Sequence, residues 1–359
     1  MTISVGIIGM GRSGWELHGA YLHRAPGYRV VAVCDQAPER LAQAADAFGA
    51  EPYVEWRQLL QKADVQLVVV AAVSNLHAEM AIAAMKAGKD VVVEKPMATS
   101  LAEAHAMLEE SIRSARLLTV FHNRRWDRDY LTLKGFVEQG LLGELLTLDS
   151  RVMTYGSEWA NYGVPHFDPQ WRLRAAHGGG FLADWGPHLL EQVLDLTKQF
   201  PESVSAQLRG QLWTEEVDDY FHLRLVFPSG LLVTLEATNN ARMALPRWFV
   251  MGTEGTLWAE GAWGHWTEMR VRRSFGSVEM DLTPLAARPN GVSRHYDVDK
   301  DLSAVFYADL AEALVQGRPP AIPAVRGRNI TAILEAARLS SAEGRTIEMR
   351  LLEGLVCAV

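Results

Sequence analysis

Three side chains that could move or stabilise a proton stand in two short motifs of this sequence. Lys95 lies in EKP (94–96), directly after an apolar run, and Asp184 and His188 lie in GGGFLADWGPH (178–188). Asp184 and His188 are four residues apart, so a helix would place them on one face, where the carboxylate could orient and charge the imidazole. Because a proline inside a helix costs a hydrogen bond, Pro187 predicts that the helix begins near residue 186, just after Asp184.

These groups suit the oxidation or reduction of a carbinol carbon. A base must take the hydroxyl proton as hydride leaves that carbon, and His188 is the natural candidate. Lys95 can donate a hydrogen bond to the developing oxyanion or relay the proton, while Asp184 can stabilise the imidazolium or bind a neighbouring hydroxyl. The alternatives are an ordinary surface lysine and a histidine satisfied within the core. A metal site at Asp184, His188 and Glu191 is less well supported, because the sequence has no other ligand cluster, and we expect none.

A glycine-rich loop indicates a dinucleotide site. GMGRSG (9–14) follows the apolar strand Val5–Ile8, and a second strand ends in Asp35, 21 residues after Gly14. In this motif the glycines allow a tight turn, close approach of a pyrophosphate, and helix–strand packing, while the acidic residue holds the ribose hydroxyls. A purely structural turn is the alternative. Asp35 favours NAD over NADP because a carboxylate repels a 2′-phosphate, although Arg40 nearby offsets this preference.

The first ~120 residues alternate buried β-branched runs with helical stretches rich in Ala, Leu, Glu and Lys, which predicts a doubly wound parallel sheet of the Rossmann type. The predicted strands are Val5–Ile8, Val30–Val33, Leu67–Ala72, Val91–Val93 and Leu117–Phe121, and the predicted helices are Pro38–Phe48, Leu76–Ala87 and Leu101–Ala115.

After residue 125 the pattern changes to longer strands with true alternation. Phe221–Phe227, a Pro-Ser-Gly turn and Leu231–Leu235 predict an antiparallel hairpin, with further strands at Leu145–Met153, Trp248–Gly252 and Met269–Arg273 and helices at Tyr130–Glu138, Asp301–Val315 and Asn329–Ala342. We therefore expect two domains: a dinucleotide-binding domain at 1–123, and a substrate-binding and oligomerisation α+β domain at 124–359 with a large, open-faced, mostly antiparallel sheet.

Composition narrows the class of protein. The net charge of −8 argues against nucleic-acid binding. The two cysteines, Cys34 and Cys357, form no disulfide framework, and Cys34 is expected to be buried. Charged residues interrupt every apolar run before membrane-spanning length, and the first residues lack a secretory signal pattern. We expect a cytoplasmic protein without a membrane partner.

The motifs together resemble the glucose–fructose oxidoreductase / inositol dehydrogenase / rhizopine-catabolism family over essentially the whole chain. The resemblance rests on GMGRSG, SNLH (74–77), EKP and GGGFLADWGPH in this order and spacing. FHNRRWD (121–127) and DYFH (219–222) look like the scyllo-inositol dehydrogenase branch. Three features depart from the pattern: relatives in that branch often lack an acid at the Asp35 position and use NADP, Glu191 stands where the family usually has Asp, and Trp185 is unusual.

The resemblance implies a catalytic group formed by Lys95, Asp184 and His188. The expected cofactor-binding residues are Gly9, Met10, Gly11, Arg12, Ser13, Gly14, Asp35, Ala72, Asn75, His77, Glu94 and Lys95. The expected substrate-binding residues are Asn123, Arg124, Trp126, Trp171, Arg172, Asp184 and His188.

Three functions remain open from the sequence. The first is an NAD-dependent dehydrogenase of a small-molecule sugar, cyclitol or polyol. The second is a redox-neutral glycosidase that keeps NAD bound, oxidises a sugar carbon transiently and eliminates a glycosidic group. The third is a non-catalytic NAD-binding sensor, which the intact acid–base set disfavours. The open sheet face predicts a homodimer or homotetramer.

Overall fold

The computed structural model describes residues 2–156, 169–262, 265–275, 278–281 and 302–350. Cys357 lies outside these ranges. The chain divides into two compact units. The first contains residues 1–122, 158–179 and 303–332, and the second contains residues 123–157, 180–302 and 333–359. This division differs from a single cut after residue 123, because two later segments pack with the N-terminal residues.

In chain order, the described strands are β1 Ile3–Ile8, β2 Tyr28–Cys34, β3 Glu51–Tyr53, β4 Leu67–Val70, β5 Asp90–Val93, β6 Leu118–Val120, β7 Leu145–Met153, β8 Ser203–Arg209, β9 Tyr220–Val226, β10 Leu232–Thr238, β11 Trp248–Gly252, β12 Gly255–Ala262, β13 His265–Phe275, β14 Val278–Asp281 and β15 Ile347–Glu348. The described α-helices are α1 Ala20–Leu22, α2 Pro38–Phe48, α3 Trp56–Gln61, α4 His77–Lys86, α5 Leu101–Ser114, α6 Arg128–Glu138, α7 Phe181–Thr197, α8 Leu302–Gln316 and α9 Ala324–Glu343.

The first unit is built on the expected parallel sheet, with strand order β3-β2-β1-β4-β5-β6. All pairings in it are parallel. The residues of β1 and β4 are buried throughout, which explains their continuous apolar runs. The strand order reverses between β1 and β4, so ligands are expected beyond the carboxyl ends of these strands.

Two helices of the first unit, α2 and α5, have clear end or start signals in their sequence. Pro38 occupies the first turn of α2, and Gly49 ends the helix in the left-handed conformation. Ser100 and Glu103 form a capping box at the start of α5. The helix after the glycine-rich loop differs from expectation, because Ser13–Gly19 is a π-helix that continues into α1. Such wide turns are rare and often occur at functional sites.

The second unit contains a nine-stranded sheet of order β14-β13-β12-β11-β7-β10-β9-β8-β15. The hairpin β9–β10 is antiparallel, as predicted. Its neighbour β7 pairs with β10 in parallel, so the sheet is mostly rather than wholly antiparallel. The α+β architecture expected from the sequence is confirmed. The strands β3, β8, β12, β14 and β15 and the short helix α3 were not predicted.

The two faces of this sheet differ in their residues. In β7, Leu148, Ser150 and Val152 are buried, and the alternate positions are more exposed. Arg151 at one alternate position contacts Asp149 of the same strand at 2.6 Å and Glu236 of β10 at 3.4 Å. The outer face is therefore a mixture of apolar and paired charged residues.

Helix α7 corrects one expectation about the Asp184–His188 motif. The helix begins at Phe181 and contains Pro187 in its interior, so Asp184 lies in its first turn rather than ahead of it. The helix is buried along almost its whole length. Each buried Leu or Phe side chain contributes about 1.5–3 kcal/mol. Several together outweigh the roughly 3 kcal/mol that an interior proline costs.

Within the described ranges, no helix is long and apolar enough to cross a membrane. Over the same residues, no group of three or more His, Cys, Asp or Glu side chains could hold a metal ion.

Candidate active site

The glycine-rich loop of the first unit is closely packed around its own backbone. Gly9 has a φ of +92°, and a Cβ at this position would lie 2.6 Å from the Ala71 carbonyl oxygen. A Cβ at Gly14 would clash with the carbonyl oxygen of Gly9. The Gly9 N–H donates to the Cys34 carbonyl at 2.8 Å, which joins the loop to the end of β2. Only glycine allows this approach, and the resulting turn fits the close passage of a pyrophosphate.

Asp35 is buried at the end of β2 and fixes the loop. One carboxylate oxygen accepts the Met10 N–H at 2.7 Å, and the other accepts the Ala37 N–H at 2.8 Å. Arg40 Nη2 lies 3.1 Å from the latter oxygen. Arg40 is therefore paired with Asp35 and offsets part of the negative charge of that carboxylate. Arg12, also expected at the cofactor, pairs with Glu16 at 3.1 Å.

The loop after β4 is joined to the EKP segment through His77. The His77 ring is buried, with Nδ1 2.8 Å from the Pro96 carbonyl oxygen and Nε2 3.1 Å from the Ala72 carbonyl oxygen. Burial lowers the pKa of His77, so the neutral ring is favoured. With both nitrogens facing backbone oxygens, His77 holds two loops together, and its proposed contact with a cofactor stays a prediction.

Lys95 follows β5, and its backbone N–H donates to Glu94 Oε2 at 3.1 Å. The Glu94 carboxylate is buried, and its other oxygen lies 3.1 Å from His18 Nε2. Burial raises the pKa of Glu94, but the hydrogen bond and charge of His18, together with the charge of Lys95, hold it below its usual value. Glu94 is therefore a carboxylate near neutral pH.

Residues 169–179 also belong to the first unit, which the sequence did not indicate. Trp171 and Arg172, expected in the substrate domain, stack with the guanidinium carbon 4.4 Å from the ring centroid. His177 Nδ1 lies 3.4 Å from the side-chain oxygen of Asn75, a cofactor candidate. These substrate candidates thus lie in the same compact unit as the glycine-rich loop.

In the second unit, Asp218 fixes the start of α7. Its carboxylate accepts the Leu182 N–H at 2.6 Å and its carbonyl accepts the Phe181 N–H at 2.8 Å. Gly180 precedes the helix with a φ of +107°, and a Cβ there would clash with the Asp218 carboxylate. Burial raises the pKa of Asp218 to about 6. The third glycine of the GGG motif therefore makes room for this carboxylate.

His188 lies on α7 beside an aromatic and a cationic side chain. The Trp185 and His188 rings are 5.8 Å apart in an edge-on arrangement. The Arg124 guanidinium carbon lies 4.7 Å from the Trp185 ring centroid, and its Nη1 donates to Asp127 at 3.1 Å. The structure thus brings the candidates Arg124 and His188 to one indole. Asn123 shares the short 3₁₀ turn of Arg124, whereas Trp126, at the end of that turn, is buried.

The opposite part of α7 is held by a buried ion-pair network. Arg125 contacts Glu191 and donates to Asp195 at 2.6 Å. Asp195 also accepts from the Tyr130 hydroxyl at 2.5 Å and from Lys134 Nζ at 2.8 Å. Burial would raise the pKa of Asp195, but Arg125 and these donors hold it far below its usual value. Glu191 thus has a structural partner.

Comparison with known proteins identifies the family of the chain. The model of the oxidoreductase family with an NAD-binding Rossmann fold (GFO_IDH_MocA) matches residues 3–122, and the GFO/IDH/MocA C-terminal domain matches residues 130–258. The chain is 30% identical over 354 residues to the scyllo-inositol 2-dehydrogenase (NADP(+)) IolW of Bacillus subtilis (strain 168). The aligned region covers 96% of each of the two chains. The chain belongs to the GFO/IDH/MocA oxidoreductase family.

Two further GFO/IDH/MocA comparisons cover different amounts of the chain. A levoglucosan dehydrogenase of Pseudarthrobacter phenanthrenivorans is 29% identical over 292 residues, or 71% of this chain and 73% of that protein. The crystal structure of an NAD-binding protein from Listeria innocua superposes with a TM-score of 0.82 at 29% identity over 97% of both chains. The family and fold expected from the sequence are confirmed, and the protein is an oxidoreductase with an NAD-binding Rossmann domain.

Sequence reasoning missed three polar residues around the GFO/IDH/MocA motifs. Asp218 was hidden because it contacts α7 from 36 residues away. His18 and Tyr307 lie 289 residues apart in sequence, yet their side chains are in contact. For His18, the one available signal was its position in the helical segment after the glycine-rich loop, because a buried imidazole requires polar partners.

Proposed function

We propose that this protein is an NAD-dependent dehydrogenase that transfers a hydride between the nicotinamide and a carbinol carbon of a sugar, cyclitol or related polyol. The observation that carries the proposal is α7, a buried helix with Asp184 and His188 one turn apart, in a GFO/IDH/MocA chain that also has Lys95 at the end of β5. In such a chain these residues supply an acid–base set.

The glycine-rich loop supports a resident dinucleotide. Gly9 and Gly14 allow a turn in which backbone atoms lie too close for any Cβ, and Asp35 can accept ribose hydroxyls through its remaining lone pairs. When bound, the nicotinamide supplies the hydride acceptor or donor. Expected contacts also come from Met10, Gly11 and Ser13 on the loop and, after β4 and β5, from Ala72, Asn75, His77, Glu94 and Lys95.

The remaining steps fall to the side chains of the protein. In the oxidative direction, His188 takes the proton of the substrate hydroxyl, and Asp184 stabilises the imidazolium or binds a neighbouring hydroxyl. Lys95 donates a hydrogen bond to the same oxygen as negative charge develops on it. In the reverse direction, His188 returns the proton to the alkoxide.

The substrate class rests on the relatives and on the surroundings of His188. The relatives' names specify scyllo-inositol and levoglucosan, both rings with several hydroxyl groups. Trp185 and Arg124 offer a flat aromatic ring and hydrogen-bond donors, which suit the apolar face and hydroxyls of such a ring. Asn123, Trp126, Trp171 and Arg172 remain candidates for further contacts.

The experiment is a panel of cyclitols, sugars, anhydrosugars and glycosides incubated with NAD⁺ and separately with NADP⁺. We expect absorbance of reduced nicotinamide to appear with at least one polyol and to fall strongly in the Lys95→Ala variant. Cleavage of a glycoside without net reduced nicotinamide would instead support the redox-neutral glycosidase. Absence of both, with a protein that still binds NADH, would contradict the proposal.

A further inference from the structure

Three buried polar side chains form a hydrogen-bonded network that ends at Lys95 in the first unit. His18 Nδ1 is 2.6 Å from the Tyr307 hydroxyl, and His18 Nε2 is 3.1 Å from Glu94 Oε1. The second oxygen of Glu94 accepts the Lys95 backbone N–H at 3.1 Å. His18 and Tyr307 are fully buried, and Glu94 nearly so. The proposed hydride chemistry assigns no role to His18 or to Tyr307.

The ionised state of Glu94 fixes the direction of the hydrogen bond between His18 and Glu94. Burial raises the pKa of Tyr307 well above its ordinary value, so its hydroxyl keeps its proton. Glu94 is ionised, as described above, and can only accept. His18 Nε2 must therefore carry a proton and donate to Glu94, and His18 Nδ1 shares a 2.6 Å hydrogen bond with the Tyr307 hydroxyl. Every polar atom on the path from Tyr307 to Glu94 then has a partner.

The surrounding aromatic residues hold this hydrogen-bonded network in place. The Phe121 ring lies 4.3 Å from the His18 ring, and the Tyr21 ring stacks on Tyr307 at 5.6 Å. The Tyr28 hydroxyl donates to the Tyr307 carbonyl at 2.8 Å. His18 comes from the π-helix after the glycine-rich loop, Glu94 follows β5, and Tyr307 comes from α8. The contacts thus join three segments that are distant in sequence.

We propose that His18, supported by Tyr307, is a positioning residue for Lys95. By holding Glu94 ionised and in one orientation, it fixes the Lys95 backbone and keeps a negative charge beside the Lys95 ammonium. The inference rests on the proposed function, in which Lys95 acts on the substrate oxygen. His18 itself touches neither substrate nor cofactor in this account.

The test compares His18→Leu with His18→Gln and Tyr307→Phe. Leucine removes both hydrogen bonds, whereas glutamine retains a donor for Glu94. We expect His18→Leu to lower kcat about tenfold or more, because small displacements of a positioned group are costly, and His18→Gln to restore most of the loss. KM and NADH affinity should change little. Tyr307→Phe should lower kcat less than His18→Leu. Turnover is measured with scyllo-inositol, or with the substrate that the panel identifies.

The pH profile separates positioning from a general structural role. Without His18, burial raises the pKa of Glu94, and the charge of Lys95 opposes only part of this rise. The other titratable groups nearby are His77 and Tyr307. His18→Leu should therefore lose activity as the pH falls through a range in which the native protein and His18→Gln stay active. Tyr28→Phe is the matched control, because it removes a buried hydroxyl from the same cluster without breaking the path to Glu94.

A double-mutant cycle tests whether the effect acts through Lys95. In the Lys95→Ala background, His18→Leu should have little further effect on turnover. The inference would be overturned if the loss of kcat in the double variant equalled the product of the two single losses. Native kcat in a folded His18→Leu protein would overturn it as well. If the leucine variant does not fold, Tyr307→Phe and the same cycle decide.

A readout without substrate keeps the two proposals distinguishable. Amide hydrogen exchange of a peptide spanning residues 90–98 should quicken in His18→Leu and not in Tyr28→Phe, because the Lys95 N–H depends on the orientation of Glu94. Unchanged exchange contradicts the positioning role. Normal turnover in Lys95→Ala contradicts the proposed function instead.

Discussion

Replacement of Asp35 by serine tests the basis of cofactor choice. On the proposed function, the Asp35 carboxylate faces the adenosine ribose of the bound dinucleotide, and a 2′-phosphate there would bring two negative charges together. Two unit charges 4 Å apart interact by about 4 kcal/mol at an effective dielectric of 20. Arg40, 3.1 Å from the carboxylate, offsets part of this repulsion. If half remains, NADH is favoured over NADPH by roughly 2 kcal/mol, or about 30-fold in Kd.

The substitution should reverse this preference. Serine removes the repulsion and frees Arg40 to contact a 2′-phosphate, while NADH loses a hydrogen bond to a charged acceptor worth about 1.5–3 kcal/mol. We expect NADH to bind roughly tenfold more weakly and NADPH at least tenfold more tightly. Asp35→Asn separates charge from loop anchoring, because its oxygen can still accept the Met10 N–H.

The assay is fluorescence titration of the protein with NADH and NADPH at fixed ionic strength. Arg40→Gln in the serine background should weaken NADPH selectively, and Arg29→Gln, which removes an exposed arginine of the same unit, is its control. Equal or tighter binding of NADPH by the unmodified protein would refute the reasoning. This outcome has a precedent in name, because the Bacillus relative is named for NADP(+).

Four further predictions concern catalysis, α7 and the sheet. Lys95→Ala and His188→Ala should each lower turnover roughly 10²-fold or more with little change in dinucleotide affinity. The double variant should lose less activity than the product of the two single effects. Near-normal turnover of either single variant would remove that residue from the catalytic group. Because the raised pKa of Asp218, about 6, lets the folded protein bind more protons than the unfolded chain, its contribution to stability falls as pH rises from about 4 to 6. Asp218→Asn should remove that dependence in urea titrations, and an unchanged slope would contradict it. Asp195→Ala should cost roughly 3–5 kcal/mol at pH 7. This cost should shrink as the pH falls below about 4, because the Asp195 carboxyl of the unfolded chain then binds a proton while the folded protein, with its lowered pKa, still resists protonation; a pH-independent cost would argue against the ion pairs. The outer face of the nine-stranded sheet should form a homodimer or homotetramer, and a monomer at micromolar concentration in sedimentation would exclude it.

Local patterns in the sequence determined the parallel sheet and the dinucleotide loop. The strands of the first unit are buried on both faces, so their apolar runs are continuous and can be read without knowing their neighbours. The positive φ of Gly9 and the contact between Gly14 and the Gly9 carbonyl arise within a few residues, and Asp35 follows at the end of the next strand. The hairpin β9–β10 was equally local, because its turn and alternation lie in one segment.

Tertiary structure decided the parts that depend on distant partners. Pro187 lies inside α7 because burial of the helix outweighs a local cost, which a local rule could not weigh. Asp218 reaches the start of α7 across 36 residues, and His18 reaches Tyr307 across 289. Residues 303–332 joined the first unit for the same reason. A buried polar group must find its partner wherever the chain is folded to provide one, and sequence spacing carries no record of that choice.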